Sequence, residues 1–325
     1  MISAHFTRST LAAVLMGLST IAVAQAQSYP ERSIKVVVPF PAGGPTDAVA
    51  RLVVQQLSSR LGQTVYVENQ ASAGGRVASH AVARAHPDGY TLLLGGTNTN
   101  AVPRAFYKDL AYDPLKDFAA VAALASDSPV LVVNPTLPAT TLPELVRYAK
   151  DNPGKLTGGA AVGIYTHFWM ELLRIRTGAD MLFVPYKGAA PVLTDILAGT
   201  IQVTVAAKSF LLPHIQAGRL RAIAVASSAR WPELADVPTM HESGFDGFPS
   251  EVWFGMVAPV ATPAPIIAKL NAATNDVLKS ADTQASFAKL GINPVIGSAQ
   301  DFAAILSKDA AAWEEAAKVT GIRLD

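Results

Sequence analysis

Ile34-Lys35-Val36-Val37-Val38-Pro39-Phe40-Pro41-Ala42-Gly43-Gly44-Pro45-Thr46-Asp47 is the stretch on which the fold turns. Its opening is a β-branched run bounded by Pro39, which predicts a buried strand over 34–38. Beyond the loop, Val49, Leu52, Val53 and Leu57 recur at helical spacing and predict a helix over 48–57. Gly43 and Gly44 permit positive φ and a close approach of backbone to a ligand. Thr46 or Asp47 is placed to cap the helix. The first amides of a helix lack carbonyl partners and sit at the positive end of its dipole. Such an end can hold a carboxylate without any Arg or Lys. The same residues also suit an ordinary capped turn, and local physics leaves both readings open.

The strand–loop–helix rhythm continues outward. Strands are predicted at 64–68, 91–95, 130–133, 156–160, 181–184, 201–205, 220–226 and 251–257, and helices at 77–85, 141–150, 166–177, 190–198 and 209–217. The stretch from Pro263 reads as mostly helical, with Phe302, Leu306 and Trp313 on one apolar stripe. Alternating strands and helices imply parallel βαβ units in sheets covered on both faces. Four more segments leave strands through small or hydroxyl residues: 71–75, 95–99 (with Thr97), 158–167 and 184–188. A second lobe is expected to begin near Ser126, and Pro249-Ser250 reads as a crossing back. The expected division is a first lobe of residues 27–125 plus 250–325 and a second of 126–249. Two lobes joined by more than one crossing leave a cleft at the carboxyl ends of their strands, where ligands bind.

Composition narrows the function. The 325 residues are half hydrophobic and 16% charged, which excludes disorder. A formal charge of +1 gives no electrostatic case for nucleic acid. With no cysteine there are no disulfides, thiolate metal sites or cysteine nucleophiles. Arg8, an apolar run over 11–23 and Ala22-Val23-Ala24-Gln25-Ala26 predict a cleaved signal peptide over 1–26. That run is short of the roughly 20 residues a membrane span needs. Export to a bacterial periplasm, with a mature chain that does not span the membrane, is the expectation.

Several further segments match a known family. These are Val38-Pro39-Phe40 with Gly43-Gly44-Pro45-Thr46-Asp47, Val67-Glu68-Asn69 before Gly74-Gly75, and Pro87-Asp88-Gly89-Tyr90-Thr91-Leu92. Tyr112-Asp113-Pro114, Val184-Pro185-Tyr186-Lys187-Gly188, Leu212-Pro213-His214-Ile215, Asp236-Val237-Pro238-Thr239 and Trp253-Phe254-Gly255 follow in order. Together they resemble the Bug solute receptors, the periplasmic binding proteins of tripartite tricarboxylate transporters. The resemblance implies an α/β, type II periplasmic-binding-protein fold whose two lobes close on a small carboxylate: a di- or tricarboxylate or an aromatic acid. It implies delivery to an inner-membrane permease of that transporter class by a monomeric receptor without cofactor or metal. By position, it implicates Phe40, Ala42, Gly43, Gly44, Pro45, Thr46 and Asp47 of the first lobe, and Ala161, Gly163, Thr166 and His167 facing them. Thr97, Tyr186, Ala206 and Lys208 complete the expected ligand-binding set.

One departure bears on specificity. Many relatives carry Phe-Asp where this chain has Ala206-Ala207-Lys208, so an acceptor for a ligand ammonium is lost and amine-free acids are favoured. Tyr165 either stacks on an aromatic ligand or faces away. His167 is either a neutral donor to a carboxylate or a packed residue. His80 and His86 stand apart from other donors, and Asp109, Asp113 and Asp117 read as turn residues and not as a calcium loop. No G-x-S-x-G elbow, phosphate loop or G-x-G-x-x-G occurs, and no catalytic residue is assigned. The competing outputs are a receptor that presents its ligand to a sensor kinase and an enzyme acting on a carboxylate.

Overall fold

The computed structural model describes residues 29–71 and 73–324. The expected signal peptide and Ser72 lie outside the described residues. The first sheet holds β1 (Ile34–Val38), β2 (Val65–Asn69), β3 (Thr91–Gly96), β4 (Phe118–Asp127), β10 (Val252–Pro259) and β11 (Asn293–Pro294), in the order β2-β1-β3-β10-β4-β11. The second holds β5 (Pro129–Val133), β6 (Thr157–Ala161), β7 (Leu182–Tyr186), β8 (Val203–Ala207) and β9 (Arg221–Val225), in the order β7-β6-β8-β5-β9.

Both sheets are covered on both faces, as alternation along the strands requires. Val36, Val38, Leu92 and Leu94 enter one core, while Val37 and Leu93 enter another with Phe302 and Leu306. The helices of the first lobe are α1 (Pro45–Leu61), α2 (Arg76–Ala83), α3 (Val102–Phe106), α8 (Ala264–Lys279), α9 (Ala281–Leu290) and α10 (Ala299–Thr320). Those of the second are α4 (Leu142–Asp151), α5 (Tyr165–Thr177), α6 (Ala189–Ala198) and α7 (Lys208–Gln216). Phe302, Leu306 and Trp313 are buried along α10, on the stripe expected of them.

The expected parallel βαβ units are present, but both sheets are mixed. β1 pairs in parallel with β2 and β3, but β10 runs antiparallel between β3 and β4. In the second sheet, β5 runs antiparallel to β8 and β9. The reason is topological: β10 arrives from the other lobe and β5 directly from β4, neither through a crossover helix. β4 itself was not expected, because Phe118-Ala119-Ala120-Val121-Ala122-Ala123-Leu124-Ala125 lacks a β-branched run. It extends to Asp127, past the Ser126 position expected to open the second lobe.

The lobes touch along a shared seam. Phe168 of α5 stacks on Phe106 of α3 at 3.5 Å between centroids, and Phe106 meets Trp313 edge-on at 6.1 Å. All three are fully buried, so the second lobe's helix adds to the first lobe's core. Tyr165 joins the same cluster, which resolves its two readings: it is a packed residue and does not stand in the cleft.

Candidate functional site

The β1–α1 loop is built as a main-chain cradle. Pro45 occupies the first helical position, so α1 starts three residues before the expected Ala48 and its N-cap is Gly44. No side chain caps it, which corrects the expectation for Thr46 or Asp47. Asp47, one turn in, reaches back instead and accepts from the Gly43 amide at 3.0 Å. Asn69 donates to Asp47 at 2.9 Å and to the Phe40 carbonyl at 3.1 Å, and Arg51 closes the network on Asp47 at 3.0 Å. Burial works against the Asp47 charge, but Arg51, Gly43 and Asn69 outweigh it and hold its carboxyl below the usual range. The Asp47 side chain is therefore committed to shaping the loop. Ala48 makes the first α1 bond, to the Gly44 carbonyl at 3.0 Å, which leaves the Thr46 and Asp47 amides without an intrahelical acceptor. Gly43 takes the positive φ (81°), while Gly44 is extended at −85°.

The second lobe presents a matching start. α5 follows Gly163 (φ 79°) and extended Ile164, again with no side-chain cap. The Tyr165 amide donates across the cleft to Asn98 Oδ1 of the first lobe at 3.0 Å. Pro41 packs against Gly188, the N-cap of α6, and Gly74 lies against the Val162 and Gly163 carbonyls. Three loops of one lobe thus meet two helix starts of the other. A cavity of about 540 Å³ lies at this junction, within the range of small-ligand sites. Its lining includes Pro41, Gly74, Arg76, Tyr107, Tyr186 and Lys187.

The expected residues fall into distinct places. Phe40, Ala42, Gly43, Gly44, Pro45, Thr46 and Asp47 form the cradle, with the Phe40 ring against Gly75. Gly163 stands at the seam, while Ala161, Thr166 and Ala206 line one small second-lobe crevice. Tyr186 lines the cavity, and its hydroxyl donates to Asp195 at 2.6 Å. His167 packs on Phe183 at 4.8 Å, and burial lowers its pKa against the pull of Glu171, so the ring is neutral at neutral pH. Two side chains are engaged elsewhere. Thr97 donates to Asp309 at 2.6 Å and accepts from the Trp253 amide at 3.0 Å. Lys208 runs to Glu233 at 3.3 Å, over the Trp231 ring at 4.9 Å. Asn98, Arg76 and Tyr107 were missed. Asn98 lay in an expected loop, and Arg76 follows the Gly74-Gly75 pair, but nothing in the sequence brings Tyr107 to them.

Asp127 ends β4 beside the first crossing and accepts from the Ser128 amide at 2.7 Å and from the Ser209 amide of α7 at 3.1 Å. Burial pushes its pKa up to about 6 despite those donors and Lys208, and burial likewise pushes Asp309 up to about 6. A carboxyl with a raised folded-state pKa adds stability below its unfolded value near 4, and that stability is lost as pH rises through 6. Each shift corresponds to a contribution on the order of 3 kcal/mol. Melting temperature is therefore expected to fall between about pH 4 and pH 6 on this account, and Asp309→Asn should remove about half of that fall. Identical pH profiles for the two proteins would contradict the assignment.

Among the described residues, no group of His, Asp and Glu is arranged to hold a metal ion, and no helix is long and apolar enough to cross a membrane. The sequence profile of the tripartite tricarboxylate transporter family receptor matches residues 49–322. BugT of Bordetella pertussis is 35% identical over 97% of this chain and 98% of that protein. A solved R. palustris protein with adipate is 35% identical, with TM-score 0.86 over 91% of this chain and 99% of that one. MatC from Rhodopseudomonas palustris, solved with bound malate, is 34% identical, with TM-score 0.84 over 89% of this chain and 99% of that one. The two-lobed α/β architecture is that of periplasmic binding proteins of this type.

Proposed function

Because the chain belongs to the tripartite tricarboxylate transporter receptor family, whose members are periplasmic solute-binding receptors, we propose that it captures a small carboxylate between its lobes and delivers it to the cognate inner-membrane permease. The observation that carries this reading is the α1 start, where the Gly44 N-cap has no side-chain bond and the Thr46 and Asp47 amides have no intrahelical acceptor, in the loop whose Pro41 lines the cavity at the lobe junction. Main-chain amides of Gly44, Thr46 and Asp47 hold one acid group, framed by Phe40, Ala42, Gly43 and Pro45. Ala161, Gly163, Thr166 and His167 close from the other side, with Tyr186 at the rim and Ala206 leaving the wall without an acid. The adipate and malate bound by similar proteins support a carboxylate ligand. In this reading residues 27–125 and 250–325 make one lobe, residues 126–249 the other, and residues 1–26 direct export. The protein binds and releases its ligand unchanged, as mass spectrometry of ligand recovered from the protein would verify.

Calorimetry with adipate, malate, citrate, benzoate, aspartate and glutamate tests the reading. At least one amine-free acid should bind with a Kd on the order of micromolar, and the two amino acids about tenfold or more weaker. Best binding by an amino acid would reject the role of Ala206, and silence across the panel would reject a carboxylate ligand. Gly44→Leu sharpens the test. Gly44 is extended, and a Cβ there meets only the Pro41 carbonyl, at 3.7 Å. The variant should fold normally yet lose about tenfold or more in affinity, because its side chain stands before the amides. Undiminished binding would remove the amides from the mechanism.

A further inference from the structure

The cavity at the lobe junction holds two cations, one from each lobe. Arg76 opens α2 of the first lobe, and Lys187 follows β7 of the second. No Asp or Glu lines this cavity, and neither cation has an acidic partner among the described residues. Arg76 is held in place nonetheless. Its guanidinium stacks on the Tyr107 ring at 3.8 Å, and its Nε donates to the Ala73 carbonyl at 3.2 Å. Stacking leaves the terminal nitrogens of the fork in the plane where a carboxylate is bound, so the group is oriented before any anion arrives. Chains fix an arginine in this way at some cost in side-chain entropy, and charge-assisted bonds to an anion are about twice as strong as neutral ones. Pro41 lines the cavity and belongs to the loop that carries the amide cradle, while Tyr186, the last residue of β7, lines it from the other lobe.

We infer that Arg76 and Lys187 form a clamp for a second anionic group, so that the preferred ligand is a dianion held at one end by helix amides and at the other by these two side chains. This deepens the carboxylate reading and rests on it. The clamp draws on both lobes: Arg76 is preset on the first, and Lys187 lines the same cavity from the second. A dianion therefore rewards closure in a way that a monoanion does not.

Titration with adipate and with hexanoate, the same chain bearing one carboxylate, separates the two anion sites. The parent protein should bind adipate about tenfold or more tighter than hexanoate. Arg76→Gln and Lys187→Gln should each remove most of that preference and leave hexanoate within about twofold. Arg76→Lys, which keeps charge but loses the planar fork, should retain part of it. Lys187 is exposed, so Lys187→Gln reports even if Arg76→Gln melts early. Equal affinity for the two acids, or variants that weaken both equally or neither, would overturn the clamp and leave the carboxylate reading standing. Binding by other acids but by neither of these would also overturn it, and binding by no acid at all would remove the underlying reading as well.

Discussion

Gly163→Ala should cost the receptor at least about a hundredfold in affinity for its tightest-binding acid while leaving both lobes folded. Gly163 lies at the seam with φ 79°, and a Cβ placed there would collide with the Tyr107 hydroxyl of the other lobe. Gly74 is also close, with its Cα 3.8 Å from the added atom. Packed interfaces do not deform smoothly, so the clash is relieved by holding the lobes apart. Opening separates Tyr165 from Asn98 and moves α5 away from the first-lobe loops, and the ligand then meets one wall in place of two. Every ligand contact that depends on closure is lost together. A second substitution isolates the cause. Tyr107→Phe removes the atom that clashes, and the next ring atom stands 3.4 Å from the added Cβ. Gly163→Ala with Tyr107→Phe should therefore recover most of the affinity, short by roughly fivefold for an alanine held at positive φ, about 1 kcal/mol. Calorimetry on the three proteins, with thermal melts to show that they fold, decides the matter. A Gly163→Ala protein that binds normally would mean that closure does not bring Tyr107 and Gly163 together.

Much of this was legible in the sequence, for identifiable reasons. Ile34–Val38 and Pro129–Val133 are β-branched or apolar runs with Pro at a boundary, and Gly178 ends α5 in the left-handed conformation expected of it. The turn between β1 and α1 was legible from its adjacent glycines, one of which takes the positive φ they permit, although they suited a capped turn as well as an anion site. What escaped depended on partners far away in the chain. The alanines of Phe118–Asp127 signal no strand by themselves and pair only once β10 and β11 flank them. Thr97 looked like a ligand contact until Asp309, 212 residues on, claimed its hydroxyl. Lys208 looked like a cleft cation until Glu233 and Trp231 drew it elsewhere. The Arg76–Tyr107 stack was equally invisible, since neither residue carries a periodic or motif signal. Backbone sites are written locally, whereas side-chain direction is a tertiary property.

That distinction makes Gly96→Ala the most damaging stability change expected in the first lobe. Gly96 ends β3 at φ 134° and ψ −150°, a region almost closed to residues with a Cβ. It pairs with Phe254, and an added Cβ would fall inside the Trp253 carbonyl, with the Phe254 Cα only 3.3 Å away. The obstacle is backbone, so no rotamer change relieves it. Either β10 moves away from β3 or the β3 terminus unwinds. The Trp253 amide is meanwhile tied to Thr97 at 3.0 Å, and Gly96 itself donates to Asn100 at 3.0 Å, so the first escape breaks a part-buried hydrogen bond and the second a buried one. Strain and lost bonds together should exceed about 4 kcal/mol, the range reserved for a few severe mechanisms. For a chain of this size that lowers the melting temperature by roughly 6 °C or more. Asn98 follows two residues later, so the cross-cleft bond to Tyr165 should weaken as well, and ligand added in excess should restore less stability than it does in the parent. Urea and thermal melts with and without the tightest-binding acid measure both effects. A loss under about 1 kcal/mol would mean that β3 and β10 are not joined at Gly96 as described, and the Asn98 bridge would lose its footing with them.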